Sequence, residues 1–126
     1  MSSIAKRAGL HRAYPLAASV SLQGEEPAIL NAAGLLVNVG AVGICAGITR
    51  LAVDNSQGVD KAAKATVEIG EHLFRNAGDI TEANVGETAF FSAVDTVSID
   101  SATNTRSTAG TIIEVASNGV WVELGV

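Results

Sequence analysis

Residues 111–126 of the chain read "TIIEVASNGVWVELGV", two β-rich runs on either side of Ser117-Asn118-Gly119. Asn-Gly is typical of a tight hairpin turn, because both residues tolerate the positive φ that such a turn requires. We therefore predict that residues 111–116 and 120–124 pair antiparallel. The second run alternates as a half-buried strand does, with one face formed by Val120, Val122 and Leu124.

Strand-like segments continue upstream of this hairpin. "ATVEIGEHLF", residues 65–74, alternates as one strand, with Val67, Ile69 and Leu73 on one side and Glu68 and His72 on the other. Shorter strands are predicted over residues 18–23, 87–93 and 96–99. A strand about every ten residues is typical of a β-sandwich or β-barrel.

Helix signals are few. Residues 79–86 have Thr81 as a possible cap and Gly86 as a stop, which predicts one short helical turn. Residues 59–68 favour a helical turn or two at most. We therefore predict an all-β chain: one small β-barrel or sandwich-like domain over residues 17–126 with a short helical turn, preceded by an extended N-terminal arm over residues 1–16.

One uncharged run, "AILNAAGLLVNVGAVGICAGIT" at residues 28–49, is long enough to span about 30 Å of hydrocarbon as a helix. However, it contains two asparagines and several glycines, which weaken a helix, and its glycines lack the spacing of a nucleotide-binding loop. We predict instead two strands, "LLVNV" and "GICAGI", covered by the barrel core on one face and by a neighbouring subunit on the other. No membrane contact is expected.

The composition is 48% hydrophobic but only 4% aromatic, so the core must consist mainly of small aliphatic side chains. Such a core offsets chain entropy weakly, and self-association is therefore expected. Residues 1–24 hold three bases and no acid, whereas residues 25–126 hold five bases and thirteen acids. A basic arm thus precedes an acidic body. Three fixed charges without an aromatic groove are poor support for nucleic-acid binding.

No residue pattern indicates catalysis or metal binding. His11 and His72 lie far apart and lack ligand spacing, and Cys45 has no nucleophile signature around it. Residues 54–60, "DNSQGVD", fail the calcium-loop pattern and are typical of a plain turn. We expect no catalytic residue, no metal, no cofactor and no small-molecule substrate. A secretory signal is excluded, because charged and proline residues interrupt every apolar candidate; the arm's charge also fits an organellar transit peptide.

The second half of the chain carries a family resemblance in the order "VDNSQG" (53–58), "ATVEIGEHLF" (65–74), "DITEANVGETAFFSAVDTVSI" (79–99) and "TRSTAGTIIEVASNGVWVEL" (105–124). This order resembles the small capsid cement, or head decoration, proteins of tailed bacteriophages. The most characteristic parts are the block Thr81 to Gly86, the Ala109-Gly110 pair before a strand, and the terminal "NGVWVEL". The resemblance covers about residues 16 to 124.

The resemblance implies a β-barrel-like domain on the outer surface of a phage head, often clustered as trimers. Such a protein binds neighbouring major capsid protein subunits and reinforces the shell. Within the arm, Lys6, Arg7, Arg12 and Tyr14 are the expected contacts to the capsid or to a neighbouring copy, because buried Arg and Tyr contribute strongly to interfaces. The alternative is a small soluble β-barrel binding module or enzyme subunit, whose sign would be a deep pocket with convergent polar groups.

Overall fold

The computed structural model describes residues 9–126, and strands make up 49% of the chain. One 3₁₀ turn covers Glu82–Asn84. The strands are β1 His11–Pro15, β2 Ser21–Leu22, β3 Pro27–Leu30, β4 Leu36–Val37, β5 Ile44–Thr49, β6 Val53–Asp54, β7 Lys64–Glu68, β8 Gly70–Asn76, β9 Thr88–Ala93, β10 Thr96–Ser98, β11 Thr108–Ala116 and β12 Gly119–Leu124.

Five strands close into a barrel in the order β11, β12, β8, β10, β9 and back to β11. The C-terminal hairpin, β11 with β12, is antiparallel as predicted, with Ile112 opposite Val122 and Val115 opposite Val120. Strand β9 closes the ring because it pairs with both β10 and β11. The predicted all-β fold class with a small barrel is confirmed.

The hairpin turn differs from the prediction in one detail. Ladder pairing begins with Ala116 opposite Gly119, so the two turn residues are Ser117 and Asn118. Gly119 has a positive φ of 152°, but Asn118 is not among the positive-φ residues. The expectation that both Asn118 and Gly119 have positive φ is therefore wrong for Asn118. Gly119 is needed for a second reason, since a Cβ there would overlap the carbonyl oxygen of Phe74.

A second group of strands, which we call the wing, extends from β11 through β5, β7 and β1, with β3 pairing to both β5 and β4. The uncharged run of residues 28–49 lies here as β3, β4 and β5. The two predicted strands of this run are present but shorter at their starts, and they flank β3 instead of pairing with each other. Within the described part of the chain, no helix has the length and apolar character needed to cross a bilayer.

The predicted single strand over residues 65–74 is wrong: it is two strands, divided at Ile69. Strand β7 belongs to the wing, and β8 belongs to the barrel. Gly70, the first residue of β8, has a φ of 101°, and this bend interrupts the alternation. Val67 is fully buried, but Leu73, expected on the same side, is 37% exposed and Phe74 is buried in its place.

Two hydrophobic cores correspond to the two groups of strands. The barrel core contains the edge-to-face pair Phe74 and Phe91, with ring centroids 5.2 Å apart. The wing core is built from small side chains, as the composition predicts: Leu16, Leu22, Ala28, Leu36, Ala46, Ala65 and Val67. The predicted helical turn is present as the 3₁₀ turn, in which Thr81 and Asn84 form a capping box. No helix forms over residues 59–68, because β7 begins at Lys64.

Gly119→Ala tests the close approach of the hairpin to β8. The added methyl group would meet the Phe74 carbonyl at a backbone conformation that alanine disfavours, so we expect a loss of about 2–4 kcal/mol in unfolding free energy. Gly40→Ala is the matched control, because Gly40 also has positive φ but has open space around it; it should cost about 1 kcal/mol. Urea denaturation measures both, and equal losses would contradict the proposed overlap.

Candidate functional site

The predicted contact residues of the arm lie in two regions. Lys6 and Arg7 lie outside the described residues, and their role stays a prediction. Arg12 and Tyr14 lie on β1, which pairs with β7 from His11 opposite Glu68 to Pro15 opposite Lys64. Residues 11–15 are thus a strand of the domain's own sheet.

Tyr14 packs against the wing core. Its register partner on β7 is the buried Ala65, so its side chain lies on the inner face of the sheet. There it contacts the cluster that contains Leu16 and Val67. Tyr14 therefore stabilises the attachment of β1 to the wing, whatever else it contacts.

Arg12 covers part of the sheet edge. Leu10 accepts a hydrogen bond from the Ile69 amide, and Leu16 donates to the Ala63 carbonyl, so even-numbered residues of β1 direct their backbone groups to β7. The carbonyl of His11 therefore points away from β7. The Arg12 guanidinium donates to this carbonyl at 3.0 Å, which partly protects the strand edge.

Both described histidines meet at one carboxylate, which the sequence spacing did not reveal. Glu68 accepts a hydrogen bond from Arg50 at 2.9 Å, and the Nε2 atoms of His11 and His72 lie 3.6 and 3.9 Å from its oxygens. The three partners come from β1, from the residue after β5 and from β8. Glu68 thus joins the wing to the barrel by electrostatic contacts at a partly exposed position.

A groove runs along β8 between the barrel and the wing. It consists of three adjoining depressions of about 460, 380 and 260 Å³, and His72 lines all three. Leu10 and Glu123 lie at one end, and Leu73 and Val94 at the other. We call this feature the β8 groove. It is lined by several acids and one base: Glu25, Glu68, Glu71, Asp95, Glu123 and Arg50.

The groove lacks the arrangement of a metal or catalytic centre. Among residues 9–126, no group of three or more His, Cys, Asp or Glu side chains is placed to hold a metal ion. Cys45 is fully buried in the barrel core and away from the groove, and burial raises the pKa of its thiol to about 12. A neutral, enclosed thiol is a poor nucleophile.

The acidic turn at residues 54–60 has a structural role. The Asp54 carboxylate accepts a hydrogen bond from the Ser56 amide at 2.9 Å, and hydrogen bonds from Ser56 lower the pKa of Asp54. The buried Asn55 side chain donates to the carbonyls of Ala17 and Val59 at 2.9 and 3.0 Å. The turn therefore ties the start of the domain to the segment before β7.

No protein-family model matches this chain, no curated protein matches its sequence, and no solved structure matches it. The resemblance to the decoration proteins therefore rests on the motifs themselves. Each motif lies at a structural junction. The block from Thr81 to Gly86 forms the 3₁₀ turn, "NGVWVEL" begins at Asn118 in the hairpin and forms β12, and "VDNS" contains the Asn55 turn.

Asn55→Asp should destabilise the chain strongly. The substitution replaces two donated hydrogen bonds with a carboxylate oxygen facing two carbonyl oxygens, and we expect a loss of about 3 kcal/mol. Ser56→Ala, which keeps the amide bonded to Asp54, should cost less than about 1 kcal/mol. Thermal and urea unfolding compare the two variants. Similar losses would show that the Asn55 side chain does not hold the turn.

Cys45 should be unreactive in the folded chain. We expect a thiol reagent at pH 8 to modify the one cysteine only after denaturant is added. The folded pKa lies above the ordinary value of 9.0, so the stabilisation from the neutral thiol is complete below pH 9 and is lost as pH rises towards about 12. Cys45→Ser should lack this part of the alkaline loss. Equal labelling rates with and without denaturant would contradict the burial of the thiol.

Proposed function

We propose that this chain is a structural virion protein. It is a capsid cement or decoration protein that binds the outer surface of a phage head and stabilises contacts between major capsid protein subunits. The observation that carries the proposal is the order of the four motifs over residues 53–124. Their positions at turns and strand junctions support it, because a shared barrel needs those junctions in that order.

Exposed apolar side chains support assembly with other subunits. Val42 is 65% exposed, Ile44 49% and Leu51 77%, and large apolar side chains at this exposure gain from burial in a contact. Val42 and Ile44 belong to the stretch that the sequence predicts to be covered by a neighbouring subunit. Self-association, with a trimer favoured, is part of the proposal.

The charge distribution supports docking through the N-terminal segment. Lys6, Arg7 and Arg12 precede a body with a large excess of acid. In this proposal these bases and Tyr14 contact the major capsid protein or a neighbouring copy. Opposite charges across such an interface chiefly steer association and fix orientation.

The alternative, a small binding module or enzyme subunit, would use the β8 groove. The observation that favours it is the polar cluster of Arg50, Glu68 and His72 in that groove. The groove is open along one side, which suits an extended chain better than an enclosed small molecule. The decoration proposal therefore agrees better with its shape.

Lys6→Glu combined with Arg7→Glu tests the decoration proposal. We expect this variant to bind undecorated heads of the parent phage about tenfold more weakly at low salt, with the difference shrinking as salt rises. Co-sedimentation with heads measures binding, and electron microscopy shows whether the native chain lies on the outer surface. Sedimentation equilibrium of the chain alone tests the trimer.

Lys61→Glu is the matched control, since Lys61 is an exposed base outside the arm. It should leave head binding within about twofold of the native chain. A second variant lacks residues 2–8, because β1 begins at His11 and a longer deletion would remove part of the sheet. Undiminished binding of this variant would remove the segment from the mechanism, and absence of native binding at every salt concentration would overturn the decoration proposal.

A further inference from the structure

Strand β8 has a partly open edge. It pairs with β12 from Gly70 to Phe74 on one side. On the other side it pairs with β10 only at Arg75 and Asn76. Among residues 9–126, no strand therefore covers this side of β8 over residues 70–74, and the β8 groove runs along it.

Backbone groups of β8 point into the groove. The amides of Arg75 and Ala77 donate to the carbonyls of Asp95 and Val97 on the β10 side. Because backbone groups alternate along a strand, those of Glu71 and Leu73 point to the same side. Two residues of β8 thus present an N–H and a C=O where a further strand would bind.

The register of β1 leads directly to this edge. Ile69 donates to the carbonyl of Leu10 at 2.7 Å, which extends the β1 to β7 ladder by one residue beyond His11. The next pair in this register is Gly9 opposite Gly70. Both glycines have positive φ, 107° and 101°, so the two chains bend at the same point of the ladder. Continued by one more pair, the register brings Ala8 opposite Glu71.

We propose that residues 1–8 bind to the open edge of β8 in the same chain, as an antiparallel strand that continues β1. In this register Lys6 pairs with Leu73 and Arg7 with His72. Residues 1–8 are also long enough, since eight extended residues span up to about 26–29 Å and five residues of β8 about 17 Å.

Charge complementarity identifies this segment as the occupant. Its bases, Lys6 and Arg7, are not accompanied by an acid anywhere in residues 1–24. In the proposed register Lys6 lies diagonally across from Glu71 on the outer face. Arg7 lies on the opposite face, towards the part of the groove lined by Glu25 and Glu68. Each base thus meets carboxylates on its own side of the strand.

The proposal stands apart from the decoration function. It concerns the isolated chain and names residues 1–8 as the ligand of the β8 groove, whether or not a capsid is the final target. If the chain does decorate a head through this segment, the capsid must displace the segment from the groove. The experiments below contain no heads, so their failure leaves the decoration proposal standing.

Disulfide trapping tests the register. In a Cys45→Ser background, Arg7→Cys with His72→Cys should form an intrachain disulfide with oxidised glutathione, because the two residues face each other. Arg7→Cys with Leu73→Cys is the matched control, since a one-residue slip places the second cysteine on the other face. Mass spectrometry and non-reducing electrophoresis measure both. A predominantly interchain disulfide, equal yields from the two pairs, or no disulfide would overturn the proposal.

Hydrogen exchange tests the proposal without new cysteines. Removing residues 2–8 should speed exchange of the Glu71 and Leu73 amides about tenfold or more, because these amides lose their partners. The His72 and Phe74 amides point to β12 and should change less than about twofold. Magnetic resonance resolves the four amides in one sample. Unchanged exchange at Glu71 and Leu73 would overturn the proposal, and equal acceleration at all four would do the same, because it would indicate general loosening of β8.

Discussion

The bend at Ile69 and Gly70 is the feature on which the arrangement of this chain depends. On its N-terminal side the chain is a wing strand, and on its C-terminal side it is a barrel strand. A straight strand would have to continue in one sheet. Because the positive φ of Gly70 redirects the chain, the two sheets diverge and the β8 groove opens between them. Glu68, just before the bend, then contacts partners from both sides.

The local features of the fold were predictable from sequence because they depend on nearby residues. The C-terminal hairpin follows from β-rich runs around a turn, and the 3₁₀ turn follows from a capping residue followed by a glycine. The bend at Gly70 was not predictable, because "VEIGEHLF" continues to alternate across it. Alternation reports which side of a strand is apolar, but it does not report which sheet the strand belongs to.

Ring closure and the candidate site depend on contacts between distant parts of the sequence. Strand β9 closes the barrel by pairing with β11, and no local pattern indicates that choice. His11 and His72 looked unrelated because 60 intervening residues separate them in the sequence, yet both approach Glu68. Tyr14 looked like a surface contact, but its position opposite Ala65 turns it towards the wing core. Residue type alone cannot separate these roles.

An N-terminal segment with two binding surfaces has a thermodynamic consequence. If residues 1–8 occupy their own groove, a partner binds only the fraction of chains in which the segment is released, and the apparent affinity falls by that fraction. Binding within one chain benefits from a high effective concentration, so even weak contacts compete well. A partner must therefore supply more than opposite charge, since the groove already supplies that. Selectivity for the correct partner then comes from apolar contacts, for which the exposed side chains of the wing, Val42, Ile44 and Leu51, are suited.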